Sequence, residues 1–124
     1  MDTTGVLGRM YDDGEVIVRQ GDKGDCMFVI QAGEVEIVHE DGETETRLAV
    51  RKEGDFFGEM AIFEQDVRSA TVRTLGPARI LTVDKKNFLR RVHEDPSLAY
   101  RIVQTMSRRI RELSAEVAHL RSRS

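Results

Sequence analysis

The sequence predicts a mainly β chain with C-terminal helices: an antiparallel sandwich or jelly roll, then a short helix and a long helix. Three observations carry this. Eight of the ten glycines fall within residues 12–84, set between short runs rich in β-branched residues. After Asp84 that punctuation all but stops. From Ala99 to Leu120, apolar residues recur at alternating spacings of four and three.

The predicted strands are residues 16–19, 27–31, 35–38, 46–50, 70–73 and 80–83. Val35, Glu36 and Ile37 alternate in polarity, as a half-buried strand should. Gly33, between two runs, reads as a hairpin turn, and Asp41-Gly42 is a second hairpin signal. Gly21-Asp22 and Gly24-Asp25 bound a loop. Residues 85–93, with apolar Phe88, Leu89 and Val92, form the short helix. Asp95-Pro96 restarts the chain: Asp is a good cap, and Pro is tolerated in a first helical turn. The long helix then runs from Ser97 to about Arg121. Its register of Ala99, Val103, Met106, Ile110, Leu113, Val117 and Leu120 is the seam of a coiled coil, where a lone amphipathic helix is the plainer alternative.

At 124 residues, with 40% hydrophobic and 33% charged residues, the chain suits one domain, 1–124, and is not disordered. No run is long and apolar enough to span a membrane, and no secretory signal is visible. The single Cys26 excludes an internal disulfide, a multi-cysteine zinc site and an iron–sulfur cluster. His39, His93 and His119 are scattered, so no metal site is expected and no axial haem ligand is identifiable. These features suit a cytoplasmic protein. The net charge of −3 conceals an acidic segment, residues 1–84, and a basic one, residues 85–124. The basic half suggests either a nucleic-acid arm or the solvated face of a paired helix. Cys26, Phe56, Phe57 and Phe63 are expected in the core.

The stretch with chemical content is residues 54–72. Gly58 permits close backbone approach, and residues 59–63 can form one helical turn whose first N–H groups suit an anion. Arg68 follows a polar loop and supplies a planar fork of donors matched to phosphate oxygens. A carboxylate, Glu59, stands beside them. An anion held by amides and an arginine, next to a carboxylate that can accept from a hydroxyl, describes a sugar–phosphate site. A surface Glu59–Arg68 ion pair is the plain alternative.

The string Phe57-Gly58-Glu59-Met60-Ala61-Ile62, then Arg68-Ser69-Ala70-Thr71-Val72, resembles the phosphate-binding cassette of cyclic nucleotide-binding domains. That family includes catabolite activator proteins, protein kinase A regulatory subunits and nucleotide-gated channels. The resemblance extends to residues 21–30, 33–37 and Phe88-Leu89. It implies an antiparallel β-roll (a double-stranded β-helix) over 1–84, with the cassette at 57–72 and C-terminal helices over 85–124. It also implies a cyclic nucleotide ligand. By resemblance, Glu59 bonds the ribose 2′-hydroxyl and Arg68 pairs with the cyclic phosphate. Gly58 and Ala61 are backbone donors, Ser69 is a further donor, and Met60 and Ala70 complete the cassette contacts. Ile37, Leu48 and Ala49 match sheet positions along the ribose and base. Arg109 and Ser114 flank the helical seam and match positions that cap the base; Leu113-Ser114 stands where the activator branch has Thr-Ser. Val67 replaces a Pro common in eukaryotic relatives. Ser69, rather than Thr, favours cAMP over cGMP.

The expected function is therefore a non-catalytic sensor of a cyclic nucleotide, dimeric through helix 97–121, passing occupancy to its C-terminal helices. Hydrolysis would need an activated water, and neither a metal set nor a poised base stands beside Glu59 and Arg68. The alternative is the N-terminal effector domain of a DNA-binding transcription regulator or a channel, without its output domain. No recognition helix follows the long helix, so direct sequence-specific DNA reading is not expected.

Overall fold

A computed structural model describes residues 6–64 and 67–123. The elements run β1 (Arg9–Tyr11), β2 (Val16–Val18), β3 (Cys26–Asp41), β4 (Thr44–Lys52), β5 (Phe56–Phe57), α1 (Met60–Glu64), β6 (Thr71–Asp84), α2 (Lys85–Glu94) and α3 (Ser97–Arg123). They divide into two compact units, residues 1–88 and 89–124.

The first unit is built on one six-stranded sheet in which every pairing is antiparallel. Its path is β1-β6-β3-β4, with β2 also on β6 and β5 also on β3. This path has two end strands and does not close on itself. The expected β-roll or jelly roll is thus corrected to a mixed α and β chain, with an open sheet and C-terminal helices. The physical reason lies at the glycines. Runs 27–31 and 35–38 are one continuous strand, β3, and runs 70–73 and 80–83 merge similarly into β6. Gly33 does take a positive φ of 85°, but as an irregularity inside β3, where the register against β6 shifts around Ala32. A side chain there would also collide with the Pro77 carbonyl oxygen on β6. The Asp41-Gly42 hairpin forms as expected, between β3 and β4.

The centre of β3 has partners on both edges, and Met27, Phe28, Val29 and Ile30 are all buried. The core gathers Tyr11, Val18, Phe28, Ile30, Val35, Phe57, Val72, Ala78 and Ile80. Phe28 and Phe57 stack with centroids 5.1 Å apart. Phe56 is buried with them, whereas Phe63 is 57% exposed and touches Phe88 edge-on, so Phe63 is not a core residue. Two buried threonines on β6 anchor the N-terminal segment. Thr71 Oγ1 accepts from the Gln20 N–H, and Thr74 Oγ1 accepts from the Glu15 N–H and donates to the Asp12 carbonyl. Their hydroxyls are thereby satisfied at no loss of burial.

Glu36 departs from the expected alternation: it is buried. Strand β3 lies between β4 and β6, and each sends it an arginine. Arg47 donates through Nε and Nη2 to Oε2, and Arg73 donates through Nε to Oε1. Arg73 also forks onto Glu45 at 3.1 and 2.7 Å. The two arginines hold the Glu36 carboxyl below its ordinary pKa against the opposing effect of burial.

Asp84 caps α2 by accepting from the Asn87 N–H at 2.8 Å. In the second unit, Asp95 accepts from the Ser97 N–H at 3.2 Å, as its capping role predicted, and the Ser97 hydroxyl holds its pKa below the ordinary value. Helix α3 buries Leu98 and Ile102. Its predicted seam is open further along, with Val103, Ile110, Leu113, Val117 and Leu120 all exposed. Among the described residues, no helix is long and apolar enough to cross a membrane, and no cluster of His, Cys, Asp and Glu is placed to hold a metal ion.

Candidate functional site

The site is assembled where β5 ends, α1 turns and the chain enters β6. Gly58 follows the buried pair Phe56-Phe57 and takes a φ of 74°, which only glycine adopts without strain. Its carbonyl accepts from the Ala61 N–H at 3.3 Å and from Arg68 Nη1 at 3.0 Å. Glu59 is half-buried, and its carbonyl accepts from the Ile62 N–H. Met60 opens α1 and is exposed, whereas Ala61 is buried. Beyond the loop, Ser69 is exposed and Ala70 buried.

Arg68 is fixed from several sides. Its N–H donates to the Asp22 carbonyl at 2.7 Å, and its own carbonyl accepts from Gly21 at 2.9 Å. Lys23 and Val67 form an isolated antiparallel bridge beside these bonds. The guanidinium donates to the Cys26 carbonyl at 2.7 Å as well as to Gly58, lies 3.8 Å from the Cys26 sulfur, and faces the Phe28 ring 5.5 Å from its centroid. Among the described residues, these side-chain partners are all uncharged. Two carbonyls occupy two of the five N–H donors that a guanidinium carries, and neither neutralises its charge. Such a cation, half-buried and held still, is suited to an anion with paired oxygens.

Cys26 is half-buried, and burial is the main influence raising its thiol pKa, so it has the character of a packing residue, not a nucleophile.

The structure brings together, within the first unit, Gly58, Glu59, Met60, Ala61, Arg68, Ser69 and Ala70. Ile37 is half-buried on β3, paired with Ala49 on β4 and Val72 on β6. Ala49 is half-buried, and Leu48, at the register shift opposite Ile37 and Val38, is 59% exposed. Arg109 and Ser114 lie on α3 in the second unit. Two features of the Arg68 surroundings were not singled out from the sequence as site residues: the 21–26 loop and Phe28. The Gly-Asp pairs signalled the loop, but nothing local tied it to an arginine more than forty positions away.

A profile described as "cyclic nucleotide-binding domain" matches residues 8–95. A cGMP-dependent protein kinase of Caenorhabditis elegans is 44% identical over 81 residues, 63% of this chain and 10% of the kinase. A cAMP-dependent protein kinase regulatory subunit of Blastocladiella emersonii is 38% identical over 82 residues, 64% of this chain and 20% of that subunit. Among solved structures, the Thermus thermophilus catabolite activator protein superposes with a TM-score of 0.81 at 28% identity, covering 90% of this chain and 53% of that one. The chain thus spans from a tenth to about half the length of these relatives. The matched module is a regulatory binding domain and not a catalytic one. The chain belongs to the cyclic nucleotide-binding domain family.

Proposed function

We propose that this domain is a cytoplasmic sensor that binds a cyclic nucleotide in the cassette at residues 57–72, with Arg68 against the cyclic phosphate and Glu59 against the ribose 2′-hydroxyl. The observation that supports it most is the state of Arg68: a guanidinium whose partners among the described residues are uncharged and leave donors to spare. Gly58, Met60, Ala61, Ser69 and Ala70 complete the phosphate and ribose contacts, and Ile37, Leu48 and Ala49 flank the ribose and base. Arg109 and Ser114 are proposed to cap the base. Ser69 directly after the arginine favours cAMP over cGMP, although relatives of both kinds share the cassette's family.

Occupancy is read out by the C-terminal helices, and the ligand shifts them only by its differential affinity for two arrangements. The open seam of α3 supports a homodimer. Its positions parse as Val103, Ile110 and Val117 at a, with Ala99, Met106, Leu113 and Leu120 at d. β-branched residues at a with leucine at d favour two parallel strands.

Titration calorimetry with cAMP and cGMP tests the reading. Arg68→Ala is expected to weaken binding by about 2–5 kcal/mol, the usual loss when one partner of a sheltered charge pair is removed. Unchanged affinity would remove Arg68 from the site. A second reading, an effector domain of a DNA-binding regulator, is favoured by the likeness to the Thermus activator protein. Salt-dependent DNA binding by the 124-residue chain would extend that reading to direct contact by the arginine-rich helix.

A further inference from the structure

We infer that Gly24 is a positioning residue for Arg68: its missing side chain is the space in which the guanidinium sits. This rests on the proposed role of Arg68.

The loop between β2 and β3 wraps the arginine. Asp22 and Gly21 clasp its backbone, Lys23 bridges Val67, and the Cys26 carbonyl takes one guanidinium donor. Gly24 lies between these contacts. A Cβ built on it would fall within clash distance of Arg68 Nε, Cζ and Nη2. The three nearest obstructions all belong to that one guanidinium.

Gly24 differs in kind from Gly33 and Gly8, and it differs from Gly58, which also faces Arg68, in carrying no positive φ. A Cβ at Gly33 would meet the backbone of β6, and one at Gly8 would meet the backbone at Ile80, so substitution there threatens the fold. Gly24 is also absent from the positive-φ glycines, so its backbone conformation is one an alanine can take. What must move is the far end of a flexible side chain. That end is held by the Gly58 carbonyl on one flank and by the Phe28 face on another. A methyl group at position 24 would push the guanidinium off the Cys26 carbonyl and away from the cassette. Stability would be nearly unchanged, but the orientation of the phosphate-binding fork would be lost. Loops usually tolerate Gly→Ala at such φ values, or gain slightly through a stiffer unfolded chain. A loss of ligand affinity without a loss of stability is therefore diagnostic.

The experiment uses the full chain. Wild type, Gly24→Ala, Arg68→Ala and the double variant are compared by thermal unfolding without ligand and by calorimetry with cAMP and cGMP. Gly24→Ala is expected to unfold within about 2 °C of wild type and to bind at least tenfold more weakly. In the Arg68→Ala background it is expected to change affinity less than twofold, because the group it displaces is gone. Wild-type affinity in Gly24→Ala overturns the inference. So does a destabilisation by Gly24→Ala that persists in the double variant, since that would locate the conflict in the backbone. If instead the instability disappears with Arg68, the clash is confirmed. Should wild type bind neither nucleotide, the reading of the site fails separately. The positioning claim is then decided by the Arg68 Nε–H resonance, which must shift in Gly24→Ala; an unmoved resonance refutes it.

Discussion

Replacing Glu36 by Gln probes the three-strand charge ladder with almost no change of shape. The Glu36 side chain is 10% exposed and receives Arg47 on one oxygen and Arg73 on the other. Charge-assisted hydrogen bonds contribute about 1.5–3 kcal/mol where water is excluded. The Arg47 arm is 56% exposed, so it is discounted to about 0–1 kcal/mol. The Arg73 arm is more sheltered, at 29% exposed, and keeps Glu45 in the variant. The glutamine carbonyl can still accept one bond. The expected cost is about 1.5–2.5 kcal/mol, which in a chain of this size lowers the melting temperature by ~5–10 °C. The pH dependence has a definite sign. The folded carboxyl titrates below its unfolded value, so its contribution is complete above the unfolded pKa, about 4.3, and is lost as pH falls through the lower folded value. Thermal unfolding of wild type and Glu36→Gln from pH 3 to 8 should show a constant gap above about pH 5 that closes under more acid conditions. A gap below about 0.5 kcal/mol at pH 7, or one that widens in acid, would refute the assignment of the ladder as a stabilising element.

Gly33→Ala should destabilise the sheet by at least ~2 kcal/mol, because alanine pays for the positive φ and its Cβ meets the Pro77 carbonyl; a denaturant midpoint equal to wild type would contradict this. Leu113→Asp, placed in the centre of the open seam, should leave the first unit folded and convert the proposed dimer to a monomer in sedimentation equilibrium. A dimer of unchanged strength would move the contact elsewhere.

The helices and the cassette were legible because their information is local. Caps, a 4-3 register and a glycine–glutamate–arginine string are all written within a few turns of chain. The strands were legible in position but not in length, since a glycine with positive φ looks the same in a sequence whether it turns a hairpin or kinks a continuous strand. The irregularity at Gly33 is set by what β6 presents across the sheet, namely the Pro77 carbonyl, and this is invisible in a window of ten residues. The same applies to Glu36. Its solvent-like character was inferred from alternation with Val35 and Ile37, yet its surroundings come from Arg47 and Arg73, eleven and thirty-seven positions away.

Gly24 and Gly58 extend the point to the site itself. A Cβ on either would press on the Arg68 guanidinium, Gly58 reaching Nη1 at 2.8 Å. Gly58 is additionally committed by its φ, so replacing it would mix strain with displacement. Gly24 carries only the second effect. The arginine therefore takes its place from two loops that give up side chains around it, and from carbonyls that hold its plane without cancelling its charge. An arginine paired with a carboxylate would have its charge neutralised before any ligand arrived. Held by partners that are uncharged among the described residues, it keeps its electrostatic attraction for an anion while little conformational entropy remains to be lost on binding, which is the condition under which a single charged contact contributes most to affinity.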